Sequence, residues 1–179
     1  MGAKDDFFKA CGEAREILLS MSNPMVINHY DCDGLTSGAI VYDFLMKNGK
    51  MPKIMTLKKL KPEAIAEFAK SFDEVVFVDL GSNQPAIKEI KTALTIDHHQ
   101  TEELGYFQAN PMLYGVDGGT EISSAGTAYL VCSPEFRVSG FEDLKTSAPS
   151  DAQDQSGRPY DRKTLGHQDR LRPQDYYVE

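Results

Sequence analysis

Short apolar runs alternate with amphipathic stretches along the first two thirds of the chain. The apolar runs are residues 25–27, 54–57, 75–78 and 93–96. Each is bounded by polar or turn residues, as buried strands are. Stretches with helical spacing of apolar side chains lie at 5–21, 35–46, 62–70 and 85–90. This alternation predicts an α/β domain with a doubly wound, mainly parallel sheet and helices on both faces.

The last part of the chain has a different composition. Only 12 of the 47 residues from 133 to 179 are apolar, and four prolines interrupt this stretch. Few apolar residues leave little to bury, and prolines break helices. We therefore expect a core domain at 1–132 and a polar C-terminal segment at 133–179 that builds no core by itself.

Charge, apolar content and cysteine usage narrow the class of protein. No apolar run approaches the roughly 20 residues that span a bilayer, and no apolar signal core follows the N-terminus. A cytoplasmic location without a membrane partner is expected. The net charge of −8 disfavours a simple basic groove for nucleic acid. Cys11, Cys32 and Cys132 are too widely spaced for a disulfide framework, and we expect reduced, packed thiols.

Acidic and histidine side chains follow three of the predicted strands. They are His29, Asp31, Asp33, Asp79, Asp97, His98 and His99. Because the carboxyl ends of parallel strands meet at one edge of a sheet, these side chains are expected to converge. Carboxylate oxygen together with imidazole nitrogen suits divalent cations, with manganese favoured over magnesium.

The first of these motifs has a regular spacing. A period of two in His29-x-Asp31-x-Asp33 places the three side chains on one side of an extended segment. Tyr30 and Cys32 would then point away from the metals and into packing. Gly34 would allow a sharp turn into the next helix.

The motifs HYDCDG, VDLG and DHH, in this order, resemble those of the DHH phosphoesterase superfamily. That group includes RecJ-like exonucleases, oligoribonucleases, cyclic-dinucleotide phosphodiesterases and manganese-dependent inorganic pyrophosphatases. The stretch NPMLYGVDGGTEISSAGTAYL is most similar to archaeal RecJ-like proteins. The resemblance covers 20–132, and SDAQDQSGRPY weakly resembles the fourth motif of the family.

The resemblance implies a role for each matching residue. The ligands of one metal would be His29, Asp31 and Asp79. Those of the other would be Asp33, Asp79, His98 and Asp151, with Asp79 bridging two Mn²⁺ or Mg²⁺ ions. Two residues would act in catalysis: His99 beside the scissile phosphate, and Asp97 as the orienter of the histidine pair.

The C-terminal segment departs from the family pattern. Pro149 would disrupt the helix that normally precedes the fourth motif, so Asp154 is an alternative to Asp151. Active relatives carry a smaller C-terminal substrate-binding domain, and no stretch of this chain matches it. We therefore expect a fragment or a shortened form.

Two further stretches have alternative interpretations. Ser123, Ser124 and Gly126 begin a helix, either as an ordinary N-cap or as a binding site for the substrate phosphate. Six lysines from Lys47 to Lys61 form a basic run without an intervening acid. They either protect an edge strand or guide a nucleic-acid backbone.

The expected function is metal-dependent hydrolysis of phosphodiester bonds in single-stranded nucleic acid, an oligonucleotide or a nucleotide. The alternative is a non-catalytic replication or repair scaffold, or an inactive fragment of such an enzyme. A replication or repair protein is a possible partner under either alternative. Inorganic pyrophosphatase fits less well, because its first motif spaces the histidine further from the first aspartate.

Overall fold

Five strands form one parallel sheet. The computed structural model describes residues 2–133. The strands are β1 (Met25–His29), β2 (Lys53–Leu57), β3 (Glu74–Val78), β4 (Thr92–Ile96) and β5 (Phe107–Ala109). They lie in the order β2-β1-β3-β4-β5, and each neighbouring pair is parallel.

Helices cover both faces of this sheet. They are α1 (Ala3–Ser20), α2 (Cys32–Lys47), α3 (Pro62–Ser71) and α4 (Ser124–Cys132), with 3-10 helices at Pro85–Glu89 and Pro111–Tyr114. α1, α2 and α4 lie on one face, and α3 lies on the other with the first 3-10 helix. The predicted α/β class with a parallel sheet is confirmed.

Side chains of the central strands alternate between two apolar layers. Ile27 and Phe77 are fully buried and pack with Ile65 of α3. Their neighbours Val26 and Val76 are also fully buried and point to the opposite face. Because both faces are covered, these strands are continuous apolar runs rather than alternating ones.

The direction of strand addition reverses beside β1. The chain goes from β1 to β2 on one side and then to β3 on the other. Residues at the carboxyl ends are in register, since Asn28 pairs with Val78 and Val78 pairs with Ile96. The residues that directly follow Asn28, Val78 and Ile96 therefore lie side by side at the carboxyl edge of the sheet. This switch point is where open α/β sheets bind ligands.

The structure corrects two local expectations. The helix expected at 35–46 begins three residues earlier, at Cys32, so Gly34 lies inside α2. Gly34 is needed there for close packing rather than for a sharp turn. A Cβ atom on it would lie 2.5 Å from the carbonyl oxygen of His29.

The cysteines differ in burial, contrary to the expectation that all three are packed. Cys11 is buried, Cys132 is partly buried and Cys32 is exposed. Within residues 2–133 no helix is both long and apolar enough to cross a bilayer.

Candidate metal centre

His29, Asp31 and Asp79 form a first group of possible ligands. His29 Nδ1 lies 2.9 Å from Asp31 Oδ2 and 3.4 Å from Asp79 Oδ2. His29 ends β1, Asp31 caps α2, and Asp79 follows β3. Two ligands at about 2.1 Å from one octahedral ion lie about 3 Å apart, so this spacing suits a shared cation.

His29 Nδ1 is a buried atom that faces two carboxylate oxygens. It makes no hydrogen bond to any described residue, although the two carboxylates face it. Carboxylate oxygens only accept, and an imidazole nitrogen with a lone pair cannot donate to them. A cation between the nitrogen and the oxygens satisfies all three, and the residues therefore fit a bound metal.

Asp79, His98 and His99 form a second group, whose ligand atoms lie within 4.8 Å of one another. His98 Nδ1 lies 2.6 Å from the carbonyl oxygen of Gly118. Because that oxygen only accepts, Nδ1 carries the proton and Nε2 offers its lone pair. Nε2 lies 3.6 Å from Asp79 Oδ1 and 3.7 Å from Asp33 Oδ2.

Asp79 is the acid that both groups share. Its side chain is 2% exposed, and its backbone is left-handed, with φ 57°. Among residues other than glycine, Asp and Asn tolerate this conformation best. Burial raises the pKa of Asp79; the Ser124 hydroxyl opposes this, and the carboxylates of Asp97, Asp33 and Asp31 raise it further. A buried acid crowded by others is stabilised in its ionised form by a divalent cation.

The N-terminus of α4 holds the Asp33 carboxylate. The hydroxyl of Ser123 and the N–H of Ala125 donate to Asp33 Oδ1, each at 2.9 Å. The N–H of Ser124 donates to Asp33 Oδ2 at 2.9 Å. Asp33 is the second residue of α2 and not part of an extended segment, so the expected period of two does not describe it. Its carboxylate reaches the site because α4 fixes it there.

Asp97 and His99 form a charged pair beside the shared acid. His99 Nδ1 donates to Asp97 Oδ1 at 2.7 Å. This hydrogen bond raises the pKa of His99 to about 9, against a smaller opposing effect of burial. Asp97 is 1% exposed, and its burial acts to raise its pKa, but hydrogen bonds from His99 and Ser82 lower the pKa overall. Without a bound metal, His99 therefore favours its protonated form at neutral pH, in which Nδ1 carries a proton and is not free to bind a metal.

The residues expected to bind a substrate phosphate already have partners. Ser123 and Ser124 bond to Asp33, and the Ser124 hydroxyl also donates to Asp79 Oδ1 at 2.7 Å. The N–H of Gly126 donates to the Ser123 hydroxyl at 3.3 Å. Their role toward a phosphate stays a prediction, and the contacts present serve the carboxylates instead.

Other predicted residues differ in position or are not described. Tyr30 and Cys32 are exposed, contrary to the expectation that they pack inward. Asp151 and its alternative Asp154 lie outside the described residues, together with the rest of the segment after residue 133.

Gly118, Asn110 and Ser82, whose N–H donates to Asp97, support the site and were not predicted. Gly118 accepts from His98, and a Cβ atom on it would lie 2.0 Å from the His98 carbonyl oxygen. Asn110 donates to the carbonyl oxygen of His99 at 2.9 Å and to the hydroxyl of Ser82 at 3.0 Å. The glycine pair at 118–119 was the one available signal, since it marks a turn or a close approach.

The fold and the site together define an α/β protein with acidic and histidine side chains that could bind a metal. The chain matches the DHH family, N-terminal domain, over residues 23–152. It therefore belongs to the DHH family, a group of phosphoesterase and nuclease type. The matched residues include every ligand candidate described above except Asp154.

A relative with similar sequence is an uncharacterized protein of Methanocaldococcus jannaschii. It is 37% identical over 136 residues, which are 69% of this chain and 30% of the relative. The chain thus spans less than a third of that relative's length.

Three solved structures share the fold. RecJ of Thermus thermophilus in complex with Mn²⁺ has a TM-score of 0.55 and 24% identity, over 70% of this chain and 20% of RecJ. An exonuclease RecJ bound to manganese has a TM-score of 0.55 and 22% identity, over 70% of this chain and 36% of the exonuclease. The third structure is the DHH domain of a protein assigned to a family of ribosomal proteins. It has a TM-score of 0.50 and 20% identity, over 73% of this chain and 39% of that domain's chain.

Proposed function

We propose that this domain is the metal-binding part of a phosphodiesterase that acts on single-stranded nucleic acid, an oligonucleotide or a nucleotide. The observation that carries the proposal is that Asp79 lies between two histidines, each beside another aspartate. His29 and Asp31 lie on one side, and His98 with Asp33 on the other. Two divalent cations bound there would lower the pKa of water and stabilise the charge of a phosphoryl displacement. Mn²⁺ is the first choice and Mg²⁺ the second, because nitrogen and oxygen ligands are mixed.

The contacts support the ligand roles that the family resemblance implies. His29, Asp31 and Asp79 would hold one ion, and Asp79, Asp33 and His98 would hold the other. Asp151, the further ligand that the family resemblance implies, lies outside the described residues. The fixed proton on His98 Nδ1 and the donors around Asp33 keep these ligand atoms aimed at the site.

His99 has a different role in the proposal. Its side chain is 58% exposed, and the hydrogen bond to Asp97 raises its pKa and so favours the protonated form. A protonated imidazole at the mouth of the site can donate a hydrogen bond to a phosphate oxygen. Asp97 orients this imidazole and keeps its proton on Nδ1.

The choice of substrate rests on the family and on the relatives of known structure. Two of them are RecJ, and one of these is named as an exonuclease bound to manganese. The alternative is a non-catalytic replication or repair scaffold. It is less favoured because the expected ligand side chains in the described part of the chain lie close to one another. A protein partner in replication or repair is compatible with either.

Hydrolysis of a labelled single-stranded oligonucleotide with manganese tests the proposal. The matched control is Asp79→Asn, since asparagine tolerates the left-handed backbone and removes only the charge. We expect cleavage by the wild-type chain and at least a hundredfold lower rate in the variant. Manganese binding without cleavage would contradict a catalytic role and favour the scaffold.

A further inference from the structure

Tyr30 is an exposed aromatic residue directly beside the metal centre. It follows His29 at the end of β1, and 51% of it is exposed. Its ring meets the imidazole of His29 edge to face, with 4.8 Å between the centroids and an interplanar angle of 87°. The ring is therefore fixed against a proposed metal ligand while half of it faces solvent.

Lys58 approaches the same ring from the neighbouring strand. His29 pairs with Leu57 in the sheet, so Tyr30 and Lys58 leave β1 and β2 side by side. The Lys58 ammonium lies 5.7 Å from the centroid of the Tyr30 ring. The ammonium lies over one face of the ring, to which it is attracted, and adds positive charge there.

The surroundings distinguish this tyrosine from an ordinary surface aromatic residue. Lys59 and Lys61 follow Lys58, so a basic segment borders the ring although the whole chain carries a net charge of −8. An aromatic face next to positive charge is how proteins bind unpaired nucleotides: the ring stacks on a base and the cations attract the backbone. Bare pyrophosphate offers no surface that could use the ring.

We propose that Tyr30 is the platform on which a nucleobase stacks when the adjoining phosphate lies at the metal centre. This inference rests on the proposed function and deepens it, because it requires a substrate that carries a base. Tyr30 would contribute to binding of the substrate, whereas Asp79 and its neighbours would act on the phosphate.

Binding of short single-stranded oligonucleotides tests the proposal independently of hydrolysis. The probe is a fluorescein-labelled hexanucleotide in calcium, compared with an abasic probe of the same length. The variants are Tyr30→Leu, which removes the aromatic ring, and Tyr30→Phe, which keeps it. Tyr129→Leu is the control, because Tyr129 on α4 is similarly exposed, at 46%.

Loss of one stacking contact should weaken binding of the base-bearing probe about tenfold in Tyr30→Leu. Tyr30→Phe and Tyr129→Leu should bind like the wild type, and Tyr30→Leu should leave abasic binding unchanged. Equal affinity of the wild type and Tyr30→Leu for the base-bearing probe would overturn the inference, as would an equal loss for the abasic probe. A wild type that binds neither probe would also overturn it.

Hydrolysis with manganese separates this inference from the proposed function. Oligonucleotide binding that depends on Tyr30, without any cleavage, would contradict the phosphodiesterase and leave the platform supported. Cleavage with the same KM in the wild type and Tyr30→Leu would contradict the platform alone.

Discussion

The Ser124 hydroxyl donates a hydrogen bond to Asp79 Oδ1 at 2.7 Å, and both side chains are buried. Ser124 begins α4, whereas Asp79 follows β3, so this bond ties the helix to the carboxyl edge of the sheet. The backbone N–H of the same serine donates to Asp33. One residue thus orients two proposed metal ligands through two different donors.

Replacing Ser124 by alanine should weaken manganese binding about tenfold, because partners that orient metal ligands typically contribute roughly 10- to 100-fold in affinity. Titration calorimetry measures the change. Thr127→Val is the control, since it removes another buried hydroxyl of α4, whose partner is the backbone oxygen of Ser123. The same loss of affinity in both variants would show that the Ser124 hydroxyl has no specific role.

The pair of His99 and Asp97 should make the metal-free protein less stable at high pH. The pKa of His99 is raised to about 9 in the folded state, above about 6.5 for an unfolded chain. The folded state therefore binds this proton more tightly. The stabilisation is complete below about pH 6.5 and is lost as the pH rises to about 9.

Urea denaturation in EDTA between pH 6 and pH 9 measures this dependence. In His99→Gln, the free energy of unfolding should fall less over that interval than in the wild type. Solvent screens the exposed imidazole, so the difference is expected to be modest. The same change in the free energy of unfolding with pH in both proteins would contradict the raised pKa of His99.

Gly118→Ala should disturb His98 selectively. A Cβ atom at this position would lie 2.0 Å from the His98 carbonyl oxygen, so the turn must move and the bond to His98 Nδ1 must lengthen. We expect a loss of stability of about 2 kcal/mol and weaker binding of one manganese ion. Gly119→Ala is the matched control, because its Cβ would meet only the side chain of exposed Asp117, at 3.2 Å. Normal metal binding by Gly118→Ala would refute this role.

Arg15→Ala should affect stability but not metal binding. Arg15 of α1 donates to the carbonyl oxygens of Val131 at 2.7 Å and Leu130 at 3.1 Å, and also to that of Ser133. These bonds satisfy the last carbonyl groups of α4, which have no partner inside the helix. Urea denaturation should show a loss of about 2 kcal/mol, with unchanged manganese affinity. A large loss of affinity would mean that α4 positions the site through its far end.

The central strands could be located from sequence because each is a short apolar run buried on both faces. The predicted runs at 25–27 and 75–78 lie within β1 and β3, which extend each by one or two residues. The edge strand β5 was not predicted, since its three residues are too few for a periodic pattern. The order of the strands could not be predicted from the sequence either, because it depends on the side of the sheet to which each connection carries the chain.

The convergence of the strand-end residues followed from the topology, but their supporting contacts did not. Asp33 is held by Ser123–Ala125, about ninety residues later in the chain. No local pattern encodes a bond between two distant helix N-termini. Tyr30 was misplaced for a related reason: the strand ends at His29, so alternation no longer applies to the next residue.

The shared role of Asp79 is tested most directly by manganese titration calorimetry of the wild type and Asp79→Asn. The variant keeps an acceptor for the Ser124 hydroxyl and a residue suited to the left-handed backbone, so it should fold. We predict two bound ions for the wild type and none for Asp79→Asn over the same concentration range. Unchanged stoichiometry and affinity in the variant would contradict a metal centre built around this carboxylate.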